Sequence, residues 1–125
     1  MRRAVSSSSG APAIGPYSAG LRVGQFLFVS GQIPMNASGT VVDGGIREQT
    51  VQVMENMRGV LAAAGTDFTT VAKTTIYLAD MADFATVNEV YATYFSEPFP
   101  ARATVQVARL PRDVRVEIDA IVVLA

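Results

Sequence analysis

The chain has no cysteine, no histidine and no tryptophan. Without cysteine there are no disulfides and no thiol nucleophile. Without histidine there is no Ser-His-Asp triad and no imidazole metal site. A single lysine, Lys73, is the one position where a Schiff base could form. Charge is sparse too: 17% of residues are charged, the net charge is −1, and no basic run exceeds Arg2-Arg3. Nucleic-acid binding normally needs a positive stripe against the phosphates, so no nucleic-acid partner is expected. No stretch approaches the run of about 18 apolar residues that a membrane-spanning helix needs. The opening "MRRAVSSSSGAPAI" is basic but lacks the apolar core of a secretory signal. A cytoplasmic protein is therefore expected, although the Arg, the Ser and the lack of acids leave organelle targeting by this stretch open. What remains for chemistry is Arg, Asp, Glu, Tyr, Ser, Thr and the backbone. Such a set can bind and orient an anion and move one proton, and it is poorly suited to breaking a hard bond.

The 125 residues suit one domain and can bury a core without a staple. Half of them are hydrophobic, a high share for so short a chain. Either the core is rich or some surface is buried between subunits. Residues 1–13 read as a flexible Ser-rich tail and 14–125 as a single domain. "LRVGQFLFVSGQI" (21–33) reads as two strands joined near Gly24, and 34–45 as a loop with a short strand at 40–42. From 46 to 64, Ile46, Val53, Met54, Met57, Val60, Leu61 and Ala64 recur at three-to-four spacing, which predicts a helix ended by Gly65. The β-branched run 69–80 predicts a strand. Residues 83–95 predict a second helix, with Asp83 as N-cap and Phe84, Val87, Tyr91, Tyr94 and Phe95 on its buried side. Residues 101–108 and 114–125 read as strands around the turn "RLPRD" (109–113), hence as an antiparallel pair. The expected class is α+β, with helices on one face of a mixed sheet.

Candidate chemistry concentrates at the end of the chain. In the last strand Val114, Val116, Ile118 and Ala120 point one way, and Arg115, Glu117 and Asp119 the other. The polar face turns apolar at Ile121 and Val123, so it passes under cover, and a second subunit could supply that cover. Glu117 would then sit at a water boundary, where a carboxylate can be tuned as a base. Arg102, at the mouth of the preceding strand, shares a face with Thr104. Its five fixed donors match a carboxylate. Folding about the turn would set position 102 opposite 119–120, which makes proximity to Glu117 plausible; a plain Arg–Glu salt bridge is the alternative. Gly31, in "FVSGQ", lets a ligand approach the main chain or marks only a bulge. Asn88 is either surface polar or at the rim of a pocket.

The segments "GPYSAG", "FVSGQIP", "QTVQVMENMRGVLAAAG", "VAKTTIYLADMADFATVNEVYATYF" and "FPARATVQVARLPRDVRVEIDAIV" together resemble the Rid (YjgF) family, in its reactive intermediate deaminase A branch. The similarity covers residues 14–124 and is most specific from Phe99 to Ile121. It implies a chorismate-mutase-like fold, a mixed six-stranded sheet with two helices on one face, and a homotrimer with a central barrel and sites in clefts between subunits. It implies hydrolysis of 2-iminopropanoate and 2-iminobutanoate to 2-keto acids and ammonia, with no cofactor and no metal. Carried over by position, Arg102 would clamp the substrate carboxylate and Glu117 would hold or activate water. Tyr17 would close the pocket, Ser30 and Gly31 would contact the substrate, and Ala103, Thr104 and Asn88 would complete its surroundings. Thr104 stands where many relatives have Cys, which removes any thiol role. A non-catalytic carboxylate-binding or chaperone-like protein of the same fold is the alternative.

Overall fold

A computed structural model describes residues 1–8, 10 and 12–125. Its strands are β1 (Arg2–Val5), β2 (Gly20–Val23), β3 (Phe26–Gln32), β4 (Val71–Leu78), β5 (Ala101–Gln106) and β6 (Val116–Val123). The helices are α1 (Ile46–Ala63) and α2 (Phe84–Ala92). All six strands form one sheet in the order β1-β2-β3-β6-β4-β5, antiparallel except for the parallel β4–β5 pair. A parallel pair needs a crossover rather than a hairpin, and α2 supplies it. The architecture is α+β, a six-stranded mixed sheet with two helices on one face.

The apolar stripe of α1 packs on that face. Val53, Met54, Met57, Val60 and Leu61 are buried with Leu27, Ile76, Ile118 and Val122 of the sheet. Ile46 and Ala64, at the ends of the stripe, are only partly covered. Three polar residues share the buried side of α1, and each has partners. Thr50 donates to the Ile46 carbonyl (2.7 Å), Asn56 to those of Ile33 (3.0 Å) and Met35 (2.8 Å), and Gln49 accepts from the Arg115 N–H (2.9 Å). Gly65, at φ 80°, ends the helix, with Thr66 N–H returning to the Leu61 carbonyl at 3.0 Å. From α2, Val87, Val90 and Tyr91 are buried, while Phe84, Tyr94 and Phe95 pack at the margin of the core.

Four expectations need correction. Residues 2–5 are not tail: they pair along β2 from Arg2↔Val23 to Val5↔Gly20, and Val5 packs against the core. Ser9 and Ala11, in the same expected tail, lie outside the described residues. The strand expected at 40–42 is a single bridge, Met35↔Val41. Asp83 does not cap α2 with its side chain. Its carboxylate takes both arms of Arg115 (2.7 and 3.2 Å), because a charged fork outcompetes a lone backbone N–H.

The largest correction concerns β5 and β6, which are not neighbours: β4 lies between them. The link between them spans the end of β4, with Val107 N–H bonded to the Leu78 carbonyl (2.9 Å) and Ala79 N–H to the Arg115 carbonyl (3.1 Å). One face of the sheet carries the helices. The other leaves Phe26, Phe28, Ile121 and Val123 at 47%, 43%, 36% and 42% exposure.

Candidate active site

The β3 ladder slips between Val29 and Gln32: Val29 faces Ala120 while Gln32 faces Ile118. Three steps on β3 match two on β6, which is a bulge at Ser30-Gly31. Ser30 is tied down by its N–H to the Ala19 carbonyl (2.9 Å) and its hydroxyl to the Ser18 carbonyl (2.6 Å). Gln32 donates back to the Ser30 carbonyl at 3.0 Å. The bulge brings the Gly31 backbone against Glu117. A Cβ at Gly31 would fall 2.7 Å from Glu117 Cδ and nearer still to Oε2. Gly31 is therefore part of a bulge, one of the two readings of "FVSGQ", and what lies against its main chain is the Glu117 carboxyl.

Glu117 lies half-buried on the open face of the sheet, in register with Tyr77. Among the described residues it has no hydrogen-bond or ion-pair partner. Burial pushes its carboxyl above the ordinary glutamate range, and the nearby Asp119 charge adds to the effect. Asp119 itself accepts from the Tyr77 hydroxyl at 3.0 Å. Glu117, Gly31, Ser30 and Tyr17 line one cavity of about 550 Å³. Tyr17 is half exposed at its mouth, with its hydroxyl accepting from Ile14 N–H at 3.3 Å. Apolar walls come from Ile14, Ile33, Met35 and Pro111.

Arg102 is elsewhere. It is in register with Thr74, and Thr74 with Ala120, and both of these are buried beneath the helices. Residues in register across adjacent strands share a face. Arg102 is therefore on the helix side of edge strand β5, and Glu117 is on the opposite side of the sheet. The expected proximity of the two fails within one chain, and so does a plain Arg102–Glu117 salt bridge: Arg102 does align with Ala120, but β4 stands between their strands, and Glu117, three residues from Ala120, points to the other face. The Arg102 guanidinium lies over the rings of Tyr91 (5.1 Å) and Phe84 (5.6 Å), a cation–π seat that holds it near the surface. Asn88, Phe99 and Pro100 share its shallow cavity of about 320 Å³, so Asn88 is at a pocket rim. Ala103 points to the other face and is exposed. Thr104 returns to the Arg102 side, and its hydroxyl oxygen is buried with no hydrogen-bond partner among the described residues.

The predicted residues thus form two half-sites: Tyr17, Ser30, Gly31 and Glu117 in one, Arg102, Thr104 and Asn88 in the other. Arg112 also lines the Glu117 cavity and was not foreseen. It sits in a turn whose left-handed backbone has no local sequence signature. A cation on a sheet edge and a carboxyl in a cavity are thus held apart, on opposite faces of one sheet.

Comparison with known proteins assigns the family. The model of the family described as Endoribonuclease L-PSP matches residues 8–124, and the chain belongs to this family, also called YjgF/Rid. A RutC family protein of Pyrococcus horikoshii is 49% identical, over 97% of each chain. The human protein named 2-iminobutanoate/2-iminopropanoate deaminase is 49% identical over 98% of this chain and 90% of its own. Among solved structures, a protein of Thermotoga maritima described as a putative endoribonuclease superposes with a TM-score of 0.96 at 45% identity, covering 100% of this chain and 99% of its own. TdcF of E. coli with bound serine superposes at 0.93 and 38% identity, covering 98% and 99%. Among the described residues, no helix is long and apolar enough to cross a membrane.

Proposed function

We propose that this protein hydrolyses small 2-imino acids, 2-iminopropanoate and 2-iminobutanoate among them, to 2-keto acids and ammonia, in a homotrimer whose sites lie between copies. The carrying observation is the separation of Arg102 and Glu117 onto opposite faces of one sheet. Neither half can both hold and hydrate a substrate, whereas the edge of one copy laid over the cavity of the next can. The apolar open face, with Phe26, Phe28, Ile121 and Val123, supplies the surface that a trimer buries around its central barrel. The deaminase relatives, similar over nearly the whole chain, support the reaction.

In this reading Arg102 grips the substrate carboxylate, and the buried Thr104 hydroxyl gains the partner it lacks. The main chain at Ala103 and the Asn88 side chain complete the grip. From the facing copy, Ser30 and Gly31 contact the imine and Tyr17 closes the mouth. Glu117 takes a proton from water as the oxygen attacks the C=N carbon, giving a carbinolamine. The proton then returns to nitrogen, Glu117 takes the carbinolamine hydroxyl proton as the C=O forms and the C–N bond breaks, and ammonia leaves with the keto acid. Imines already hydrolyse in water, so positioning and a well-matched base suffice. RNA cleavage, which the family description names, is disfavoured: the chain has no histidine, and Arg102 and Arg112 lie in separate half-sites rather than along a stripe.

The test generates imine from an amino acid with an oxidase and follows keto-acid formation. The protein accelerates it. Binding of 2-oxobutanoate without acceleration of any imine would instead make the protein a carboxylate binder.

Glu117 also sets a pH dependence. Since its folded-state pKa is raised, activity rises with pH along a limb above the ordinary carboxylate range. Stability runs the other way. The folded state holds the Glu117 proton longer than the unfolded chain, so the group's stabilising share is full below the unfolded value and is lost as pH rises through the folded one. Asp119→Asn, which removes the neighbouring charge, is expected to move the activity limb to lower pH. A pH–rate profile of kcat/KM reads this, and an unmoved limb would exclude Glu117 as the titrating base.

A further inference from the structure

Arg112 is a cation to which the imine reading gives no task. It lines the same cavity as Glu117, and its Nη1 reaches Met35 Sδ, on the wall of that cavity, at 3.5 Å. A thioether is a weak acceptor and no counter-charge. Asp113, its sequence neighbour, is already taken by both arms of Arg109, at 2.6 and 3.0 Å. Glu117, in the same cavity, is not within ion-pair distance of Arg112. Among the described residues, then, Arg112 has no carboxylate partner. The backbone that presents it is left-handed at two successive non-glycine residues, Arg112 (φ 59°) and Asp113 (φ 55°). Residues with a Cβ avoid that conformation. The Arg109–Asp113 pair and the bond from Asp113 N–H to the Leu110 carbonyl (3.1 Å) hold it in place.

The cavity is also large for the smallest substrates. Its volume, about 550 Å³, falls within the roughly 300–1,000 Å³ of pockets that take drug-sized ligands. An imino acid with a one- or two-carbon side chain fills a small part of it and leaves Arg112 facing only water and sulfur.

We infer that Arg112 is a specificity residue that receives a second anionic group on the substrate side chain, so that the site favours imines of acidic amino acids, such as 2-iminoglutarate, over mono-acid imines such as 2-iminobutanoate. The word substrate rests on the imine reading; the preference for a diacid rests on the cavity alone. The α-carboxylate lies on Arg102 of the neighbouring copy, the C=N carbon lies at Glu117, and the distal carboxylate meets the fixed donor fork of Arg112.

The test measures calorimetric binding of 2-oxoglutarate and of 2-oxobutanoate to the assembled protein and to its Arg112→Ala and Arg112→Lys variants. In parallel, kcat/KM is measured for imines generated from glutamate and from 2-aminobutyrate. In Arg112→Ala the diacid-to-monoacid affinity ratio is expected to fall about 10- to 100-fold, the scale of a hydrogen-bonded charge, with the kcat/KM ratio following through KM. Arg112→Lys restores part of the preference, which a merely structural role would not produce. If Arg112→Ala does not fold, as judged by thermal unfolding, Arg112→Gln carries the comparison. An unchanged ratio overturns the inference, and so does an equal loss for both acids, which would put Arg112 on the α-carboxylate common to them. An Arg112-dependent diacid preference in binding, with no turnover of either imine, would sink the imine reading and leave this inference standing.

Discussion

Arg102→Ala is expected to abolish imine hydrolysis, and mixing it with Glu117→Gln, itself expected to be inactive, to bring activity back. The first part follows from chemistry. Removing one partner of a desolvated, hydrogen-bonded charge pair costs about 2–5 kcal/mol, roughly 30- to 5,000-fold in kcat/KM. Because Arg102 rests on the rings of Tyr91 and Phe84 at an exposed edge, its loss leaves the core intact, and thermal unfolding should move little. The second part follows from topology. Arg102 and Glu117 lie on opposite faces of the sheet, so in the proposed assembly each site would take one from each of two copies. In a ring of head-to-tail contacts, random mixing of the two variants gives about a quarter of interfaces with both groups intact. The experiment dissociates and reassembles the two variants together, then assays the mixture. Failure to recover activity would mean that the two groups do not meet across an interface. Full activity of well-folded Arg102→Ala alone would remove the anion grip altogether.

Gly31→Ala is expected to inactivate the protein while leaving it folded. The added methyl would overlap the Glu117 carboxyl, lying 2.7 Å from its Cδ. What it meets is the far end of a flexible side chain, not backbone, so the chain relieves the clash by swinging that carboxyl away. Core packing survives because Val116 and Ile118, on either side of Glu117, point into the helices. The base does not survive in place, and a displacement of about 1 Å can cost on the order of 100-fold in rate. The diagnostic result is a kcat/KM fall of that order with an unfolding midpoint close to that of the unaltered protein. Equal activity in Gly31→Ala would show that the position of Glu117 is not critical. A large loss of stability would show that the glycine serves the bulge rather than the base.

Much of this arrangement could be read from the residue order. The α1 stripe, its end at Gly65 and the in–out alternation of β6 are local patterns, and local patterns survive in a linear string. The set of groups left for chemistry was legible by elimination, since a chain without His or Cys has Arg, Asp, Glu, Tyr, Ser, Thr and the backbone to work with. What could not be read is set by contacts distant in sequence. The short link "RLPRD" suggested a hairpin, yet β4 is inserted between its arms, and that insertion keeps Arg102 from lying beside β6. Arg2–Val5 becomes a strand only because β2 offers it an edge. Asp83 looked like a cap until Arg115, far along the chain, claimed it. Arg112 looked like any turn residue, since nothing local foretells two left-handed non-glycine residues in a row.

The strand order sets unequal rigidity on the two halves of the site. Glu117 is carried by β6, which has a hydrogen-bonded neighbour on each side, so its amides open to solvent only when the sheet itself comes apart. Arg102 is carried by β5, one of the two edge strands, which a lone chain can fray at little cost. The proposed proton-handling group is thus anchored in the interior of the sheet, while the proposed anion-gripping group rides on a margin that docking to another copy would quiet.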